Sequence, residues 1–383
     1  MKIFLIFLSV LFLAGCSDSS VDSIPSAGLE ETQMYTTEPE ILYTQAPAQP
    51  DPLEELLESM SLEERVGQLF LARCDSATAV QHVQMYHLGG FVLFASDFQE
   101  KTPESVSDTL ASYQAAARIP LLLAVDEEGG TVTRISRYKA FRSEPFPSPR
   151  SLFETIGYEA VLDAEAEKSR LLSSLGLNVN LGPVCDITDD PNAFMYQRSL
   201  GQSPAVTGRY IMDTVAIMEE ARIGSALKHF PGYGNNPDTH TGIAQDSRTL
   251  EELTARDLVP FRSGIQAGCD AILVSHTIVE ALDPENPASL SPAVHQYLRE
   301  NLEFSGVIIT DDLVMQAITE RYGAGEAAVL AVLAGNDLLC STEYQVQYEA
   351  VLAAVMDGRI HLRVLNQAVR NVLEWKQELG LLN

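Results

Sequence analysis

The sequence predicts an α/β fold, a (β/α)8 TIM barrel forming a single catalytic domain, on three observations. Short apolar runs alternate with amphipathic stretches of helical length, and that alternation means parallel strands joined by crossover helices. The runs number eight, at residues 67–72, 90–95, 121–126, 177–183, 225–229, 271–276, 307–311 and 337–340. Eight repeats suit a closed barrel better than an open sheet. Polar and ionisable residues also crowd the C-terminal ends of five of these runs, the rim on which a barrel places its chemistry.

Ahead of the barrel, Lys2 precedes an apolar run over residues 3–13, then Leu13-Ala14-Gly15-Cys16. A basic start, a short apolar core and small residues at the cut form a secretory signal. The run is too short to span a bilayer as a mature helix. Small residues directly before cysteine resemble a bacterial lipobox. Residues 1–16 are therefore expected to be a lipoprotein signal, with Cys16 acylated and the protein anchored in the cell membrane, facing the extracytoplasmic side. Residues 17–52 hold no Lys or Arg but contain Pro25, Pro39, Pro47, Pro50 and Pro52 among many Ser, Thr and Gln. Such a segment buries too little apolar surface to offset chain ordering and reads as an extended tether.

Residues 53–383 are the expected catalytic domain. The formal charge of −28 argues against nucleic acid, whose binding neutralises phosphates. Cys74, Cys185, Cys269 and Cys340 are widely spaced, mostly beside apolar runs. They read as buried free thiols, with neither a disulfide framework nor a metal-ligand pattern. Gly129-Gly130 lacks the spacing of a phosphate loop, so no cofactor is expected. Helices are expected at residues 103–118, 158–175, 204–222, 250–267 and 323–334, with 344–356 and 361–379 closing the outer ring. Little chain follows, and no second folded domain is expected.

The third run ends in Asp126-Glu127-Glu128-Gly129-Gly130, with Arg134 soon after. The fourth ends near Asn180 and Asp186, followed by Arg198-Ser199-Leu200-Gly201. The fifth enters Lys228-His229-Phe230-Pro231-Gly232-Tyr233-Gly234, which Gly and Pro commit to a loop, closed by Asp238-Thr239-His240. The sixth ends at Ser275-His276 and the seventh at Thr310-Asp311-Asp312.

Asp311 follows an apolar, β-branched run, and an ionised carboxylate there is costly unless paired. Lys228 or an arginine could keep it charged. A charged, oriented carboxylate can attack an electrophilic carbon, whereas Asp312 suits a cap or supporting role. Asp238 can fix the tautomer of His240 and fit it to deliver and accept a proton near neutrality. Asp126, Arg134, Arg198, Lys228 and His229 form a donor-rich wall suited to sugar hydroxyls, carboxylates or phosphates. Ion pairs bracing the rim are the other reading of the same residues.

Taken in order, these motifs resemble the N-terminal barrel domain of glycoside hydrolase family 3, in its β-N-acetylglucosaminidase branch. The matching stretches run from Asp126 to Arg134 and Arg198 to Gly201, then Lys228-His229-Phe230-Pro231-Gly232 with Asp238-Thr239-His240. Pro287-Ala288-Ser289-Leu290-Ser291 and Ile309-Thr310-Asp311-Asp312-Leu313 complete the set. The resemblance implies a retaining exo-β-N-acetylhexosaminidase that removes terminal N-acetylglucosamine from peptidoglycan fragments or other glycans without a metal. Asp311 matches the nucleophile, and His240 with Asp238 the acid/base. Asp126, Arg134, Arg198, Lys228 and His229 match the residues that hold the terminal sugar. Tyr233 stands where the family pattern has a second histidine, and the loop at 234–238 is about one residue shorter. The family's C-terminal sandwich domain is not expected, which suits a branch whose acid/base lies on a barrel loop. Phosphorolysis, action on another β-linked sugar, and glycan binding without turnover use the same residues and stay open at this point.

Overall fold

The computed structural model describes residues 51–382. The signal, the acylation position Cys16 and residues 17–50 of the tether lie outside the described residues. Among the described residues ten strands form: β1 Phe70–Arg73, β2 Gly90–Leu93, β3 Leu122–Val125, β4 Val179–Asn180, β5 Gly224–Phe230, β6 Gln245–Asp246, β7 Ala271–Val274, β8 Ile278–Val279, β9 Val307–Thr310 and β10 Leu339–Ser341. Eight of them make one parallel sheet in the order β10-β1-β2-β3-β4-β5-β7-β9. A parallel bridge between Ile309 and Leu338 joins its two ends, and Leu338 donates to the Ile308 carbonyl at 3.1 Å. The sheet is thus a closed barrel without free edges, and its eight strands fall on the eight apolar runs.

Alternation along the strands sorts side chains into two layers. Leu122 and Ala124 of β3, and Val307 and Ile309 of β9, point into the barrel interior with Leu71, Val92, Val179 and Ala226. Leu123, Val125 and Ile308 point outward against the helices. The interior is therefore filled, and the barrel is not a pore.

Three features differ from the sequence reading. β6 and β8 pair with each other outside the barrel. The stretch at 250–267 is two helices, Leu250–Ala255 and Leu258–Gln266. Pro260 lacks an N–H, and its ring would clash with the Arg256 carbonyl one turn earlier, so the helix breaks there. The last helix, Leu362–Glu378, does more than complete the outer ring, because Val372 and Trp375 join the interior cluster. The Trp375 ring lies so close to Gly224 at the start of β5 that a Cβ there would meet its Cζ2 at 2.9 Å. This helix closes the N-terminal mouth, so the barrel is open for chemistry at one end. Cys74, Cys185, Cys269 and Cys340 are buried free thiols, as the spacing suggested.

Candidate active site

The C-terminal strand ends surround a cavity of about 820 Å³. Its floor is built from β3 and β5. Beyond β3, successive side chains alternate: Asp126 and Glu128 face the cavity while Glu127 turns away and is fully buried. The Glu127 carboxylate accepts from the backbone N–H of Arg134 and Ile135, both at 2.7 Å, and of Ser136 at 3.3 Å. That grip fixes the loop after Gly130 and so delivers Arg134 to the cavity. In β5 the register against β7 shifts between Leu227 and Phe230. An irregularity of this kind breaks strict alternation, and both Lys228 and His229 reach the cavity.

These groups form one charge network. Lys228 Nζ lies 2.5 Å from Asp126 Oδ1 and 2.7 Å from Glu128 Oε1. Arg198 clasps Glu128 with two N–H groups, at 2.9 and 2.7 Å, and Arg134 approaches Asp126 at 3.9 Å. Burial would push the Glu128 carboxyl upward, but Arg198 and Lys228 outweigh it and hold the group well below the usual carboxylate range. Burial likewise opposes the charge on Lys228, and Asp126 and Glu128 reverse that, keeping the amine cationic. His229 Nδ1 donates to Asp186 Oδ2 at 2.8 Å, which leaves Nε2 to accept from Arg198 at 3.2 Å. That tautomer is assigned from the hydrogen bonds around the ring.

Asp311 ends β9. Its N–H donates to the Val274 carbonyl at 3.0 Å, and its Oδ1 accepts from the Asp312 N–H at 2.9 Å. Among the described residues no Lys or Arg pairs with it, contrary to the expectation that Lys228 or an arginine would. Lys228 is committed to Asp126 and Glu128 instead. Burial would raise the Asp311 pKa, and the imidazoles of His276, His229 and His240 together with the Asp312 N–H outweigh it, so the group is a carboxylate at neutral pH. His276 is pushed down mainly by burial; its Nε2 donates to the Asp312 carbonyl at 2.9 Å, and its Nδ1 accepts from Ser289 at 2.7 Å. Asp312 has the expected supporting role, accepting from the Thr342 hydroxyl at 2.6 Å and the Val314 N–H at 3.2 Å.

The loop after β5 carries the remaining pair. Asp238 caps a single helical turn, Thr239–Thr241, accepting from the His240 N–H at 2.9 Å and from Nδ1 at 2.6 Å. With Nδ1–H committed to the carboxylate, Nε2 is the atom free to exchange a proton. The His240 side chain is 60% exposed, as a group that must meet substrate has to be.

All eight residues singled out from the sequence for chemistry or sugar contact line this one cavity. Glu128, Asp186, Phe194 and His276 were not singled out. The run of three acids at 126–128 was the available signal for Glu128. Phe194, tilted 5.6 Å from the Tyr233 ring and 6.3 Å from His240, gave none. Among the described residues no group of three or more His, Cys, Asp or Glu is arranged to hold a metal ion.

Comparison with known proteins agrees with this architecture. The profile of the glycosyl hydrolase family 3 N-terminal domain matches residues 61–375. The chain is 31% identical over 331 residues to the beta-hexosaminidase LpqI of Mycobacterium tuberculosis, covering 83% of each. It is 34% identical over 296 residues to a beta-hexosaminidase of Stenotrophomonas maltophilia, covering 75% of this chain and 86% of that one. Its fold is similar to that of a family 3 beta-N-acetylglucosaminidase from Paenibacillus sp. str. FPU-7, with a TM-score of 0.79 and 32% identity. There the match covers 84% of this chain but 63% of the Paenibacillus chain.

Proposed function

The chain belongs to glycoside hydrolase family 3, and from that premise we propose that it is a retaining exo-β-N-acetylhexosaminidase acting on terminal β-linked N-acetylglucosamine of peptidoglycan fragments or other glycans. One observation carries the reading. The Asp311 carboxylate and the Asp238–His240 pair border the same cavity, above a floor of paired cations and carboxylates. The filled barrel interior closes that cavity from below, which suits entry by a chain end rather than the middle of a polymer. The hexosaminidase names of the relatives support the choice of sugar.

In the mechanism we infer, Asp126, Arg134, Arg198, Lys228 and His229 hold the hydroxyls of the terminal sugar. An Asp311 oxygen attacks the anomeric carbon and forms the glycosyl–enzyme bond as the bond to the leaving oxygen breaks. His240 Nε2 gives that oxygen its proton, and Asp238 stabilises the imidazolium at Nδ1. In the second half His240 takes a proton from water, which attacks the same carbon and frees Asp311. The spacing rule for two catalytic carboxylates does not apply where one partner is histidine. The leader ahead of Cys16 supports a lipid anchor at that residue on the extracytoplasmic side, with residues 17–52 as the tether.

The test is hydrolysis of a chromogenic β-N-acetylglucosaminide by wild type, Asp311→Ala and His240→Ala. Loss of the nucleophile is expected to lower kcat by at least roughly a thousandfold. His240→Ala is expected to recover most with the best leaving group, because a good leaving group needs little protonation. Full activity in Asp311→Ala would overturn the assignment.

A further inference from the structure

The loop after β5 raises a physical problem. It carries the proton-handling pair on a turn whose His240 side chain is exposed, yet a general acid must stay within hydrogen-bond reach of the leaving oxygen. A displacement of about 1 Å can cost roughly a hundredfold in rate. The first half of the loop is well tied. Arg248 donates to the Gly232 carbonyl at 2.8 Å, and the Thr188 hydroxyl donates to Asn235 at 2.7 Å. The Tyr233 N–H donates to Asp186 Oδ1 at 2.7 Å. The other oxygen of that carboxylate takes the His229 ring N–H at 2.8 Å. One buried carboxylate therefore grips both a sugar-floor residue and Tyr233.

From Tyr233 the connection continues to the second half of the loop. The side chain is 1% exposed, and its ring meets His229 edge-on with centroids 5.3 Å apart. Its hydroxyl is hydrogen-bonded to Thr239 Oγ1. Thr239 is fully buried and sits in sequence between Asp238 and His240. The Tyr233 ring also packs on Phe194, which in turn lies beside His240.

We propose that Tyr233 is a positioning residue for the acid/base: Asp186, Tyr233 and Thr239 form a strut that ties the Asp238–His240 turn to the sugar-binding floor. The proposal rests on the hydrolase reading above. The phenol spans from a backbone held by Asp186 to Thr239 in the second half of the loop. Burial raises the phenol's pKa, so its proton stays on and the hydroxyl contact persists through neutral and mildly alkaline pH.

Tyr233→Phe removes the hydroxyl and keeps the ring. A strut for the acid/base predicts a leaving-group signature. kcat/KM for phenyl β-N-acetylglucosaminide, whose leaving oxygen needs a proton, should fall about tenfold, a fraction of what a general acid contributes. For the 2,4-dinitrophenyl glycoside it should fall less than twofold. Equal loss on both substrates, or loss on neither, would overturn the proposal, since a purely structural hydroxyl would not discriminate between leaving groups. Thr239→Val cuts the same bond from its other end and must show the same signature, which covers the case of a poorly folding Tyr233→Phe. A readout independent of activity separates this proposal from the hydrolase assignment. Amide hydrogen exchange across residues 236–241 should rise several-fold in Tyr233→Phe, and unchanged exchange overturns the strut even if wild type cleaves neither glycoside.

Discussion

Glu128→Gln tests the charge network beneath the sugar site. Glu128 is buried and neutralises two cations, Arg198 through two hydrogen bonds and Lys228 at 2.7 Å. The amide keeps one acceptor but loses the charge, and its NH2 group faces donors. Lys228 and Arg198 are then left with Asp126 and, across His229, Asp186. Removing one partner of a buried ion pair costs about 3–5 kcal/mol because a buried charge remains uncompensated. A body of this size unfolds with an entropy of roughly 0.7 kcal/mol/K, so the melting temperature should drop by about 4–7 °C. The sign of the pH dependence follows from the lowered folded-state pKa. A depressed carboxyl contributes stability that is complete above its unfolded pKa, about 4.3, and is lost as pH falls through the folded value. The wild-type advantage should therefore be constant from about pH 5 upward and shrink below about pH 4.3. The assay is thermal melting of both proteins across pH 3–8, with KM for the chromogenic glycoside measured alongside, which should rise as Arg198 and Lys228 lose their anchor. A drop of less than about 1 °C at pH 7, or a difference unchanged into acid, would refute this account of the network.

Two further outcomes are expected. Lys376 is fully buried, donates to Gln68 Oε1 at 2.6 Å, and burial pushes its pKa down to about 7. At pH 7 it is about half neutral in the fold but fully protonated once unfolded, so Lys376→Met should stabilise the protein at pH 7 by about 2 kcal/mol once the stranded Gln68 acceptor is counted. That gain should fade as pH climbs toward 10 in a melting series, and a destabilised variant at pH 7 would contradict it. Cys16→Ala should release the protein from the membrane fraction into the soluble extracytoplasmic fraction in a cell expressing the full chain. Continued co-sedimentation with membranes would count against the anchor.

The eight barrel strands were legible because buried parallel strands read as short apolar runs, each punctuated by a turn. The site was legible for a related reason: a barrel aims its functional groups from strand ends, so Asp126, Lys228 and Asp311 could be found by looking there. Other features left little trace. β6 and β8 are two residues each, too short for any period. The break between Arg256 and Leu258 depended on weighing one proline against a convincing helical stripe. The partner of Asp311 was misjudged because local sequence does not reveal what Lys228 already binds. The Glu128–Arg198 contact joins residues 70 apart, and the Asp186–Tyr233 contact joins residues 47 apart.

The sequence by itself determined the repeat, its closure into a barrel, the family and eight of the residues that line the cavity, since periodicity and motif order are properties of a line. Only the tertiary structure decided which charge meets which, that Tyr233 reaches Thr239, and that the last helix seals the lower mouth. Those outcomes depend on strand register around a closed sheet. There, Lys228 and Asp126, 102 positions apart in the chain, are brought to 2.5 Å.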